Sequence, residues 1–91
     1  MSKLNEQRFA LLLDYTHKHT KGKYTLYAND GGFIEAYYDT DFETDNGLEV
    51  NEDGYEEYQA IIFRRLTDQT LFEVNCHEIP TAVICDGVVV Y

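Results

Sequence analysis

An α+β fold, with an N-terminal helix packed on a single antiparallel sheet of about five strands, follows from three features of the sequence. Residues 3 to 20 place apolar side chains at a helical period. Everything after Gly22 alternates or is β-rich, and turn residues punctuate it. The 91 residues allow one core, so residues 1–91 form a single domain. One twisted sheet with a helix across one face buries both apolar surfaces.

The helix, residues 3–20, is defined by Phe9, Leu12, Leu13 and Thr16 at i, i+3, i+4 and i+7, with Leu4 extending the stripe. Ser2 suits the N-cap. His17, Lys18, His19 and Lys21 favour the negative C-terminal end, and Gly22 is a natural stop. His17 and His19 stand about 200° apart around a helix, so they share no face.

The first strand, 23–28, is the alternating `KYTLYA`, and `NDGG` turns the chain. The second, 33–45, alternates throughout. Ile34, Ala36, Tyr38, Thr40, Phe42 and Thr44 are expected on the inner face. Glu35, Tyr37, Asp39, Asp41, Glu43 and Asp45 are expected on the outer one. Asn46-Gly47 and Asp53-Gly54 bracket an acidic loop. Strands at 56–66 and 70–77 follow, separated by `TDQT`. Pro80 interrupts pairing, and Asp86-Gly87 turns a final hairpin at 81–91.

Charge is the unusual feature. Seventeen acids against seven bases give a net charge of -10. The stretch from residue 35 to 57 contributes ten carboxylates, and residues 24 to 63 contain no Lys or Arg. Eight Tyr and five Phe argue for a folded protein rather than an acidic disordered tail. Free nucleic acid is excluded as a partner by repulsion, and a basic protein surface is favoured. The N-terminus has no signal-like apolar run, and no segment approaches the roughly 20 apolar residues of a membrane span. The protein reads as cytoplasmic, with Cys76 and Cys85 reduced.

Alternate strand residues stand about 6.6 Å apart on one face, so Asp39, Asp41, Glu43 and Asp45 are expected to form a row of negative charge. Its spacing is of the same order as that of phosphates along a nucleic-acid strand. Glu49, Glu52, Asp53, Glu56 and Glu57 widen the row into a patch. Tyr37, Tyr38, Tyr55 and Tyr58, interleaved with the acids, combine rigid apolar area with a polar tip and suit a protein interface. A solvated face that blunts an exposed strand edge is the plainer reading of the same residues.

Catalytic and metal chemistry find less support. As an EF-hand loop, `DTDFETDNGLEVNE` fails in either register: from Asp39, position 6 is Thr44 and position 12 is Val50; from Asp41, position 6 is Asn46 rather than Gly. Cys76, His77 and Cys85 are three soft donors without CxxC spacing or a clear fourth ligand. Ser2 is the only Ser, and nothing suggests an activated nucleophile. The expectation is a non-enzyme that needs no cofactor.

In size, acidity and tyrosine content, centred on residues 35–57, the chain resembles phage and mobile-element inhibitors that mimic nucleic acid, such as anti-CRISPR and anti-restriction proteins. The resemblance rests on charge and size, with no aligned motif. It implies an inhibitor binding the basic surface of a nucleic-acid enzyme, such as a CRISPR effector nuclease with its positive channels. The alternative is an immunity-type or regulatory module for a basic toxin or host protein. The expected contact residues are Glu35, Tyr37, Asp39, Asp41, Glu43, Asp45, Glu49, Glu52, Asp53, Tyr55, Glu56, Glu57 and Tyr58.

Overall fold

The computed structural model describes residues 3–91, so the Ser2 N-cap lies outside the described residues. The helix α1 spans Lys3–Lys18 and ends two residues earlier than the apolar period predicts. Its buried residues are Phe9, Leu12 and Thr16, with Leu13 packed against them, as the period requires. The end is tied down by Tyr24, whose hydroxyl donates to the His19 carbonyl at 2.8 Å. Gly22 serves close approach rather than helix termination: a Cβ there would lie 2.5 Å from Cys85 Sγ.

The strands are β1 (Lys23–Tyr27), β2 (Phe33–Asp45), β3 (Glu57–Arg65), β4 (Leu71–Asn75), β5 (Ala82–Cys85) and β6 (Val88–Val89). They form one six-stranded sheet in the order β4-β3-β2-β1-β5-β6, and every pairing is antiparallel. The expected final hairpin thus supplies two strands. Its turn places both Asp86 (φ 49) and Gly87 (φ 83) in the left-handed region, the geometry that favours Asp-Gly.

Because β4 and β5 are not neighbours, residues 76–81 must cross roughly 19 Å of sheet, four strand spacings. They cross on the helix side, where Cys76 and Ile79 join the core of Phe9, Leu12, Tyr24, Phe63 and Val83. Tyr91 fastens this crossing by donating to the Pro80 carbonyl at 2.8 Å. The opposite sheet face carries exposed Phe33 and Tyr37. No helix among the described residues is long and apolar enough to cross a membrane.

Strand β2 is the long member, and the 43 Å axis of the molecule is consistent with its thirteen residues at about 3.3 Å each. Its first part pairs with β1 as far as Tyr37, and its later part pairs with β3 alone. Beyond Phe42, β3 has also left its other neighbour, because β4 reaches only to the Ala60–Asn75 pair. The end of the β2–β3 hairpin is therefore a two-stranded ribbon projecting from the sheet.

Strict alternation along β2 does not hold. The ladder places Tyr38 opposite Phe63 and Thr40 opposite Ile62, leaving Asp39 as an extra residue in a β-bulge. Up to Tyr38 the expected faces are correct. From Thr40 they are exchanged: Asp41, opposite the buried Ile61, faces the helix, while Phe42 turns to the other side and is 44% exposed. Asp39, Asp41, Glu43 and Asp45 are consequently not one row. Asp39 remains on the outer face with Glu35 and Tyr37, and Asp41, Glu43 and Asp45 share the helix-side face.

Candidate binding surface on the acidic hairpin

At the base of the hairpin, carboxylates meet bases from neighbouring elements. Lys23 Nζ lies 3.1 Å from Glu35 on the adjoining strand, and Arg64 Nη2 lies 3.5 Å from Asp39 at the bulge. Arg64 thus has the neutralising role that adjacent Arg residues on a strand allow to one of them. Asp41 is more enclosed. His17 Nε2 donates to its carboxylate at 2.7 Å, and the Tyr38 hydroxyl donates to the same oxygen. Burial pushes the Asp41 carboxyl up, but the hydrogen bonds from Tyr38 and His17 and the His17 charge outweigh it and hold it below the usual range. Towards the other end of the ladder, Glu56, just before β3, has His77 Nε2 at 3.2 Å.

The projecting end differs. Among the described residues, no Lys, Arg or His forms an ion pair with Glu43, Asp45, Glu49, Glu52, Asp53 or Glu57. Asp45 stands directly opposite Glu57 in the ladder, an arrangement of like charges that opposes pairing. The Glu57 carboxylate is held by Tyr55, whose hydroxyl donates to it at 2.8 Å. That bond, with a second from Glu43, keeps Glu57 below the usual range, and it pushes Tyr55 up to about 12. Glu43, hydrogen-bonded to Glu57 and repelled by its charge, is held above the usual range.

The loop between the strands is shaped by its own bonds. Asn46 Nδ2 donates to the Gly54 carbonyl at 2.7 Å, and the Asn46 amide donates to the Glu56 carbonyl at 3.2 Å. Gly47 (φ 85) and Gly54 (φ 83) take left-handed conformations at its two corners, where an L side chain would be strained. Asp45 and Asn46 spend their side-chain oxygens on the amides of Gly47 and Leu48. Glu49, Glu52 and Asp53 remain exposed, and Val50 beside them is 76% exposed.

The expected contact residues therefore divide by position. Glu35, Tyr37 and Asp39 lie on the open face of the sheet, and Asp41 lies under the helix end. The remaining acids and Tyr55 gather at the projecting end. Tyr58 packs against the core and meets the His77 ring edge-on at 5.2 Å. His17 and His77 were not among the expected site residues, because each meets its acid only through long-range folding. The soft donors regroup too. Cys85 sits beneath Gly22 beside Asp86, away from the other two. Among the described residues it is Glu56 that converges with Cys76 and His77, their ligand atoms all within 4.8 Å of one another. At the other end of β2, a groove of about 510 Å³ between the β1–β2 turn and the crossing segment is lined by Phe33, Ile34, Phe72 and Ile79.

One protein family matches. The model described as "Cognate immunity protein YxxD" covers residues 8–73, from within α1 to β4, and so includes the whole acidic hairpin. No curated protein and no solved structure matches the chain.

Proposed function

The chain belongs to the family of cognate immunity proteins YxxD, and from that premise we propose that it neutralises a toxin by binding it, with the projecting acidic hairpin end against a basic surface of that toxin. The observation that carries the proposal is the set of unpaired carboxylates on the ribbon. Asp45 and Glu57 oppose each other across the ladder, an arrangement of like charges that opposes pairing. A partner presenting Arg and Lys would convert that repulsion into charge-assisted hydrogen bonds. Exposed Leu48 and Val50, with the half-buried Tyr55, supply the apolar contact that charge alone lacks.

Neutralisation in this reading is non-enzymatic: the immunity protein occupies the toxin surface. We place the encounter in the cytosol, where the free thiols of Cys76 and Cys85 stay reduced. A nucleic-acid enzyme among the toxins would present a suitable basic groove, which is the common ground with the mimic reading. The bulge at Asp39 divides the evenly spaced row on which phosphate mimicry would depend, so the family and the geometry together favour immunity.

The test uses the toxin encoded beside this chain's gene. Cells producing that toxin should survive when the wild-type protein is co-expressed, and the two proteins should co-purify. The variant Glu43→Lys, Asp45→Lys, Glu57→Lys should fold and fail to protect. Protection equal to wild type by the folded variant would exclude the ribbon as the contact surface. Absence of any complex with the wild-type protein would instead reject toxin binding itself.

A further inference from the structure

We propose that Glu56, Cys76 and His77 form a binding site for a zinc-class divalent transition metal, a role independent of the toxin-binding reading. Glu56 immediately precedes β3, and Cys76 and His77 immediately follow the neighbouring β4. On a continuing strand, Cys76 and His77 would point to opposite faces. A bend after β4 removes that divergence. Asn75 Oδ1 accepts from the amides of His77 at 2.8 Å and Glu78 at 3.0 Å, and main-chain bonds between Asn75 and Glu78 close the bend.

The result is a thiol, an imidazole nitrogen and a carboxylate oxygen all within 4.8 Å of one another. Tetrahedral zinc holds such ligand atoms roughly 3.3–3.6 Å apart, given metal–sulfur bonds near 2.3 Å and metal–nitrogen or –oxygen bonds near 2.0 Å. The edge from His77 Nε2 to Glu56 is already 3.2 Å. The thiol, within 4.8 Å of both, closes the remaining gap to that spacing. The Tyr58 ring, edge-on to the imidazole, restrains its orientation.

The donor set chooses the ion. Thiolate and imidazole select zinc-class metals over calcium and magnesium, which require oxygen ligands. Three protein ligands leave a fourth position for water, as in open zinc sites. Cys76 is buried, Glu56 half-buried and His77 exposed, so the site opens to solvent on the imidazole side. On binding, the sulfur–metal bond forms as the S–H bond breaks, and the proton passes to solvent with no change in oxidation state. Glu56 lies within the matched span of residues 8–73, and Cys76 and His77 lie just beyond it.

The experiment titrates the reduced full-length protein with Co²⁺, the spectroscopic substitute for zinc. A near-ultraviolet thiolate-to-cobalt charge-transfer band should grow to one equivalent and disappear when Zn²⁺ is added. Cys76→Ser should abolish the band, and Cys85→Ser should leave it intact. His77→Gln, at an exposed position and checked for folding by circular dichroism, should weaken Co²⁺ binding by about tenfold or more. Absence of the band in the wild type would overturn the proposal. So would a band that survives Cys76→Ser, or an affinity that His77→Gln leaves unchanged; cobalt binding without the band would mark adventitious carboxylate contacts only.

Discussion

The base and the projecting end of the β2–β3 hairpin are both acidic in sequence and opposite in physical character. At the base, Glu35, Asp39 and Asp41 each have a partner drawn from another element, and Glu56, just before β3, has His77. At the end, Glu43, Asp45, Glu49, Glu52, Asp53 and Glu57 have none among the described residues. Exposed pairs such as Lys23–Glu35 are screened by solvent, so the base is not strongly stabilised. It is balanced, and that is the distinction. The same fold that compensates one set of carboxylates leaves the other to repel itself, which is the arrangement expected where compensation comes from another molecule.

The largest effect should come from exchanging charge at the two places. Glu43→Lys, Asp45→Lys and Glu57→Lys together should weaken toxin binding at least about 100-fold in a calorimetric or surface-binding titration, since several charge-assisted contacts are replaced by repulsion. Glu35→Gln with Asp39→Asn at the base should change affinity by less than about threefold. Equal losses from both variants would break the comparison. A steep fall in wild-type affinity with salt, shallower in the triple variant, would sharpen it.

Stability should respond in the reverse order. Asp41→Asn removes the charge that Tyr38 and His17 hold, and denaturant unfolding should show a loss of about 1 kcal/mol or more. The sign with pH follows from the lowered carboxyl. Asp41 binds its proton less readily in the folded chain than in the unfolded one. Its contribution is therefore complete above the unfolded pKa, near the ordinary 3.8, and fades as pH falls through the lower folded value. Asp41→Asn should accordingly lose that part of the acid limb of the stability curve. An unchanged acid limb would mean that His17 and Tyr38 do not hold the carboxylate in solution.

Much of this architecture was legible in the sequence. Phe9, Leu12, Leu13 and Thr16 revealed the helix because its buried stripe repeats at 3.6 residues, and `KYTLYA` revealed β1 because one face is core. The charge of residues 35–57 was visible by inspection, but its partition was not. Nothing in `YYDTDFETD` marks Asp39 as the extra residue, because polar and apolar side chains continue to alternate through the bulge. The exchange of faces is decided by β3, whose Ile61 and Phe63 must both meet the helix side. His17 and His77 were hidden for a related reason: their acids lie in other elements, and only the closed sheet brings them together.

The smallest effect tests the cost of the unpaired end directly. Asp45→Asn keeps an oxygen able to accept the Gly47 amide, as Asp45 Oδ1 does at 2.9 Å, and removes the charge facing Glu57. Relief of a directly opposed like-charge pair should stabilise the free protein by about 0.2–1 kcal/mol, seen as a small rise in melting temperature. The same substitution should weaken the toxin complex. Opposite signs on stability and affinity from one neutral, nearly isosteric change would identify a charge kept for binding. A loss of stability would show instead that Asp45 serves the loop, and would move the binding surface toward Glu49, Glu52 and Asp53.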